Sequence, residues 1–344
     1  MRLLRSFGGN KAMFKYEIFW YKYSDYRLDN NMIVPVGSEI FKYNPFDYFD
    51  KKRKQPKVAE VNYTKDKDEL NIHECFVNID VNNPEEMVKW VKEFGIPYSK
   101  YEDNDGKIHN CFLVKEKSQA RRLIDEISVD EFRRCVIDYR DLIKLYDCVQ
   151  NPSQNDEVLR NIVYSKSFQE NYAIMERQLY TETTQAAKQH GWDELLELWD
   201  NTPRMSPAEM EDYDQYDEWV KANGGVFGCA KLYIDLNLEY MTQDVREKYT
   251  TVSGKVNVSW SSPSLLGLLY KMIILDWTRG KSFIKCKHKY CYEYFIPGDD
   301  GSVYCSKECR NRGKQMDYRK AHREEIALKR KERAKAIKKL NKSS

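Results

Sequence analysis

Four cysteines near the C-terminal end, spaced Cys286-x4-Cys291, thirteen residues, then Cys305-x3-Cys309, constrain this chain more than any other feature. Two close pairs joined by a short connection are what a tetrahedral ion requires. Each pair supplies adjacent corners, and the connection must be long enough to turn back. The connection reads as a turn. Phe295-Ile296-Pro297 runs into Gly298-Asp299-Asp300-Gly301-Ser302 and then Val303-Tyr304, which predicts a β-hairpin with its tip near Asp300-Gly301. Glu308 falls in the first turn of a helix that projects Cys309 back toward the ion. The layout is knuckle, hairpin and ligand-bearing helix, a treble-clef-like finger holding one structural Zn2+ per chain. With four protein ligands the shell is closed, and no position remains for an activated water. Lys285, Lys287, Lys289, Lys307 and Arg310 offset the charge of four thiolates around zinc, about −2 in total, and help to depress the thiol pKa values. His288 is a variant ligand, and four buried cysteines without metal are the plainer reading. The other five cysteines, Cys75, Cys111, Cys135, Cys148 and Cys229, stand singly among apolar neighbours as small buried hydrophobes.

Charge is distributed unevenly about this cluster. The formal net charge is only +3, yet residues 277–344 carry 20 Lys and Arg against 8 Asp and Glu, while the preceding 276 carry 37 against 46. A mildly acidic body with a strongly basic end points to a polyanionic partner for that end. Beyond Cys309 a helix presents Arg310, Arg312, Lys314, Arg319, Lys320 and Arg323 to phosphates, with Asn311, Gln315 and Tyr318 able to reach base edges or to stack. The plainer alternative, a solvated tail helix, describes 330–344.

The rest of the chain predicts an α+β fold, mostly helical, with short N-terminal strands. Hydrophobic residues make up 41% and aromatics 13%, enough for a core. Tyr16–Tyr23 and Met32–Val36 read as strands, as does Cys75–Asp80. A helix follows with Asn83 as N-cap, Pro84 at N1 and Gly95 at its end. Phe132, Cys135, Val136, Tyr139, Leu142, Ile143 and Tyr146 form a helical core stripe. Further helical pattern covers roughly 155–176, 181–199 and 206–222. A break at Ala222–Gly225 precedes an apolar run around Leu232–Ile234, and an almost wholly apolar helix, Leu265 to Trp277, leads to the first cysteine. The expected organisation is an α+β region over 1–150, a helical region over 151–276 forming one body with it, the finger over 277–325 and a basic helical tail over 326–344.

That apolar helix is well short of the roughly 20 residues of a membrane span, and Met1–Arg5 has no apolar stretch after it that would make a signal peptide. The expectations are a cytoplasmic protein with no membrane partner. His73, His109 and His190 lie far apart. No Gly-rich phosphate loop or Gly-x-Ser-x-Gly elbow is present, so no enzymatic activity is expected. No small-molecule effector can be read from the residues.

Cys286-x4-Cys291 with Phe295, then Tyr304-Cys305-Ser306 and Cys309-Arg310-Asn311-Arg312-Gly313-Lys314 with Tyr318-Arg319, resembles the bacterial CGNR-type zinc finger. Arg310 stands where that family has its glycine, and the last cysteine pair is one residue closer than is usual for the type. Proteins of this type, of the ABATE or stress-induced-regulator class, carry the finger behind a larger helical domain. The resemblance implies a DNA-binding transcriptional regulator, with DNA preferred over RNA and a body that senses a signal or forms a homodimer. The alternative function is a protein-interaction or RNA-binding adaptor using the same structural finger.

Overall fold

The computed structural model describes residues 20–48, 71–98, 100–102, 108–110, 122–190, 207, 210, 212–243, 245–252, 255–262, 264–297, 301–323 and 325. The N-terminal strands form a hairpin, β1 (Trp20–Asp29) with β2 (Met32–Tyr43), in antiparallel register from Asp29↔Met32. Its two-residue tip, Asn30-Asn31, has positive φ at both positions (47° and 65°), the backbone that matches the twist of the flanking strands and that asparagine tolerates best after glycine. Both strands extend further toward their C-terminal ends than the sequence predicts. A short strand, β6 (Ile127–Ser128), adds to β2. A separate three-stranded sheet joins β4 (Ile108–Asn110), β3 (Lys100–Glu102) and β5 (Arg122–Ile124) in that order.

One strand expectation is overturned. Residues 75–80 do not form a strand: Ile72–Val77 is the helix α1, and the chain turns immediately after it. The β-rich composition of Phe76-Val77-Asn78-Ile79 is overridden by its N-cap, since Asn71 Oδ1 accepts from the Glu74 N–H at 3.4 Å. It is overridden also by what receives the other end. Arg140 Nε donates to Val77 C=O at 2.6 Å, its guanidinium also reaches Ile79 C=O, and Arg133 Nε donates to Val81 C=O at 2.8 Å. Carbonyls that a strand would pair in a ladder are taken here by two arginines.

Helix α2 (Pro84–Phe94) has the Asn83 cap, the N1 proline and the Gly95 terminus read from the sequence. Gly95 is required twice over. Its φ is +83°, and a Cβ there would sit 3.2 Å from Trp20 Nε1 and from Tyr21 C=O on β1. Helix α3 (Val129–Gln150) opens with a capping box between Ser128 and Glu131 and buries the expected stripe, with Tyr146 half-buried and stacked on Trp277 at 3.6 Å. The pattern over 155–176 proves to be two helices, α4 (Pro152–Val163) and α5 (Lys166–His190). They part at Tyr164-Ser165, where the Ser165 hydroxyl turns back on Ile162 C=O. The break expected between 176 and 181 is absent, since α5 runs through it. That helix takes in the first part of the helix expected over 181–199, whose remainder from 191 lies outside the described residues. Helix α6 (Tyr213–Ala222) ends at the predicted break, and α7 (Gly225–Thr242) absorbs the apolar run around Ile234. The antiparallel pair β7 (Arg246–Val252) and β8 (Lys255–Ser261) is an addition to the elements that the sequence predicts.

Helix α8 (Leu265–Thr278) is capped by Ser264, whose hydroxyl accepts from Gly267 N–H at 3.2 Å. It is buried nearly all round and packs on α1 and α7. Its neighbours supply an aromatic cluster. Phe76 lies 5.0 Å from Trp90, 5.9 Å from Phe132 and 5.3 Å from Tyr139, and Tyr139 meets Tyr270 edge-on at 5.2 Å. The Tyr139 hydroxyl donates to Leu269 C=O at 3.1 Å and lies 3.5 Å from His73 Nδ1, while His73 Nε2 is 3.2 Å from Asp276 Oδ2. A single apolar core runs from Trp20 to Phe283, mostly helical with a few short antiparallel strands. No helix among the described residues is long and apolar enough to cross a membrane. Phe76→Ala, which empties the centre of the aromatic cluster, is expected to cost about 3–5 kcal/mol in urea unfolding, because the surrounding rings collapse only partly into the space.

Candidate metal centre and its basic helix

The chain leaves α8, buries Phe283 and enters a two-residue strand, β9 (Ile284–Lys285), paired antiparallel with β10 (Tyr294–Phe295). Between them lies the knuckle that carries Cys286 and Cys291, closed by the Cys291 N–H on His288 C=O at 2.9 Å. The hairpin therefore brackets the first cysteine pair instead of following it. Val303 and Tyr304 are not strand, and the expected tip at Asp300 lies outside the described residues. The return segment is tied to the knuckle by a different bond, Lys287 N–H to Val303 C=O at 2.9 Å. Four residues separate the two cysteines of the knuckle, and β9 and β10 converge only if that stretch folds inward as part of their connection.

The second pair sits at the start of α9 (Lys307–Ala321). Ser306 is the N-cap, its hydroxyl accepting from Cys309 N–H at 3.1 Å, so the fourth cysteine occupies the first turn as expected. All four sulfurs lie within 4.8 Å of one another. Cys291 Sγ is 3.6 Å from Cys305 Sγ, which is 3.6 Å from Cys309 Sγ. These separations are far above the roughly 2.05 Å of a disulfide, and all four are free thiols. Cys286, Cys305 and Cys309 form a second small buried cluster with Phe295, against which Cys291, Ile284 and Tyr304 pack.

The electrostatics of this cluster call for a cation. Burial, reinforced by Glu293 and the neighbouring sulfurs, pushes the Cys305 thiol up, and burial pushes Cys291 up to about 11. Burial also opposes ionisation of Cys286, but N–H donation from Cys305 and His288, with the other sulfurs, brings its pKa below the ordinary thiol value. Sulfurs packed so closely ionise together only beside a positive ion. The four cysteines could thus hold a metal ion. His288 is buried, stands edge-on to Tyr290 at 6.0 Å and is not among the four ligands.

Along α9 only Cys309 and Gly313 are buried. Gly313 has no Cβ because Tyr304 lies across it: an added Cβ would be 2.7 Å from the tyrosine ring. Asn311, Arg312, Lys314, Gln315, Arg319 and Lys320 are exposed, and so is Arg323 just past the helix end; Tyr318 is 59% exposed. Lys314, Gln315, Tyr318 and Arg319 line one shallow groove. Arg310 differs from the rest. It is half-buried and donates to the Ser302 hydroxyl at 2.9 Å, so it braces the return segment. The tail over 326–344 lies outside the described residues.

What sequence reasoning missed is the seam joining this unit to the body. The Asn78 side chain pairs with the Tyr294 backbone in both directions. Tyr294 N–H donates to Oδ1 at 2.8 Å, and Nδ2 donates to Tyr294 C=O at 2.8 Å. Glu74 Oε1 accepts from Ile296 N–H at 3.1 Å. A side-chain amide thus stands in for a strand along the free edge of β10. Nothing near Asn78 in sequence announces this, since its partner is 216 residues away.

Compared with protein-family models, curated proteins and solved structures, the chain matches none.

Asn78→Ala should leave metal content unchanged but weaken the seam by about 1–3 kcal/mol, read as faster hydrogen exchange at the Tyr294 amide. Asn78→Asp, which keeps the acceptor and loses the donor, should fall between. Elemental analysis should find one divalent metal ion per purified chain, and Cys305→Ser should abolish it while the far-UV signature of the helical body remains.

Proposed function

We propose that this chain is a zinc-dependent nucleic-acid-binding protein whose primary ligand is DNA, a divergent relative of the CGNR-type regulators that its finger resembles. Zinc is the ion that four thiolates in this arrangement suit best. At a Zn–S length of about 2.3 Å the sulfurs of a tetrahedron are about 3.8 Å apart, close to the 3.6 Å separations in the cluster. When bound, the ion supplies cross-linking and charge compensation, the role of a structural, treble-clef-like site.

The observation that carries the reading is the exposure of α9. A helix packed in a core has an apolar stripe, and this one has none. Beyond Gly313 it meets solvent around most of its circumference and bears Lys314, Arg319 and Lys320 with Gln315 and Tyr318 among them. Such a helix is stabilised at its start by a capped, metal-ligating turn and can be spent on a partner. Long cationic side chains around a solvated helix suit a phosphate lattice, and Asn311, Gln315 and Arg312 have the donors to reach base edges. Arg310, engaged with Ser302, contributes rigidity and not a phosphate contact.

The test is a salt titration of binding to genomic DNA fragments. With five or six cations engaged, log K should fall with log salt at a slope of roughly −5, about 0.9 per phosphate. Lys314→Ala should lower that slope by about one unit and weaken all sequences alike. A salt-independent affinity, or equal binding by the Cys305→Ser protein, would remove the mechanism.

A further inference from the structure

The knuckle carries a second surface that α9 does not explain. Tyr290 and Tyr292 flank Cys291 and are 66% and 73% exposed, among the highest values for any large hydrophobic side chain described. Neither ring is packed into the body. Each has one lysine against it: Lys289 Nζ lies 5.4 Å from the Tyr290 ring centroid and Lys285 Nζ 5.1 Å from that of Tyr292. Lys287, between them in sequence, is exposed as well. The knuckle therefore displays two aromatic rings, each carrying a cation against its π-face, on a loop fixed by the cysteine cluster and by the bond from Lys287 N–H to Val303 C=O.

We infer that Tyr290 and Tyr292 form a stacking platform for unpaired bases, so that the preferred ligand is nucleic acid with a single-stranded segment. This inference rests on the nucleic-acid reading of α9 and names the class of ligand more closely. The chemistry selects the occupant. A base in a duplex has both faces covered by its neighbours and offers nothing to a tyrosine, whereas an unpaired base offers a free π-face that any exposed aromatic ring can cover. The paired lysines supply what a base's own phosphate needs, a positive charge beside the stack. An acidic protein surface would satisfy the lysines but leave two large rings without a matching apolar face. Cys291 Sγ lies within 4.8 Å of Cys309 Sγ, so the loop that carries the two rings and the basic helix both start from one cysteine cluster.

The experiment uses full-length, metal-loaded protein and three labelled mixed-sequence DNA probes: a duplex, the same duplex with a short internal unpaired bubble, and the single strand. The wild-type protein should bind bubble and single strand more tightly than duplex. Combining Tyr290→Ala with Tyr292→Ala should weaken binding to those two probes about tenfold or more, leaving duplex binding and metal content unchanged. The double phenylalanine variant, which keeps the rings, should bind as wild type. Equal loss on all three probes, or unchanged binding to the bubble, would overturn the platform while leaving the α9 reading intact. Failure of the wild-type protein to bind any probe would overturn both.

Discussion

Helix α8 must be buried on every side, and most of the architecture is an answer to that requirement. Leu265, Leu266, Leu268, Leu269, Met272 and Ile273 are fully buried along one broad face, and Ile274, Leu275 and Trp277 are partly covered on the rest. Burying such a helix stabilises the fold by about 25 cal/mol for each Å² of apolar surface removed from solvent, but only if other elements close around it. Helices α1 and α7 pack directly against it, and α3 reaches it through Tyr139, whose ring meets Tyr270 and whose hydroxyl satisfies Leu269 C=O. Asp276 is drawn inside with the helix, and His73 Nε2 from α1 lies 3.2 Å from its Oδ2. Isolated, a carboxylate there would be costly to bury, and the imidazole gives it a polar neighbour.

The same helix positions the four-cysteine cluster. Its C-terminal end delivers the chain through Phe283, which packs edge-on to His73 at 5.0 Å, straight into β9 and the first cysteine. Helix α1 then binds the other strand of the knuckle through Asn78 and Glu74. The finger-like unit is thereby gripped at both strands by the body: β9 by continuity with α8, β10 by polar bonds from α1. Helix α9 buries only Cys309 and Gly313, both within its first two turns. A rigid base and a free arm is an arrangement in which side-chain entropy on the arm remains available to be lost on binding, while the backbone cost has already been met by folding.

The convergence of the four cysteines was legible because its physics is local. Two pairs of thiols with short internal spacing can converge whatever the surrounding fold, and Ser306 fixes the first turn of α9 without outside help. The caps of α2, the core stripe of α3 and the apolar helix α8 were legible for the same reason. The reading failed wherever partners are remote. Cys75–Asp80 has the composition of a strand, and its helical state depends on Arg133 and Arg140 from α3. The two-residue hairpin around the knuckle is set by the seam to Asn78, and the split at Tyr164 is visible only once α4 and α5 turn against each other.

The sequence by itself determined that four thiols would gather near the C-terminal end, that a basic helix would follow them, and that the chain ahead would be mainly helical with a few strands, since spacing, capping and periodicity act within a few residues. The tertiary structure alone decided which cationic side chain is spent on bracing (Arg310), which aromatic rings stay in solvent (Tyr290 and Tyr292), and that an asparagine would serve as an edge strand for the knuckle. Those outcomes depend on contacts between segments far apart in the chain, and whether a polar or aromatic group is buried or free is fixed only when the elements that could cover it have found their places.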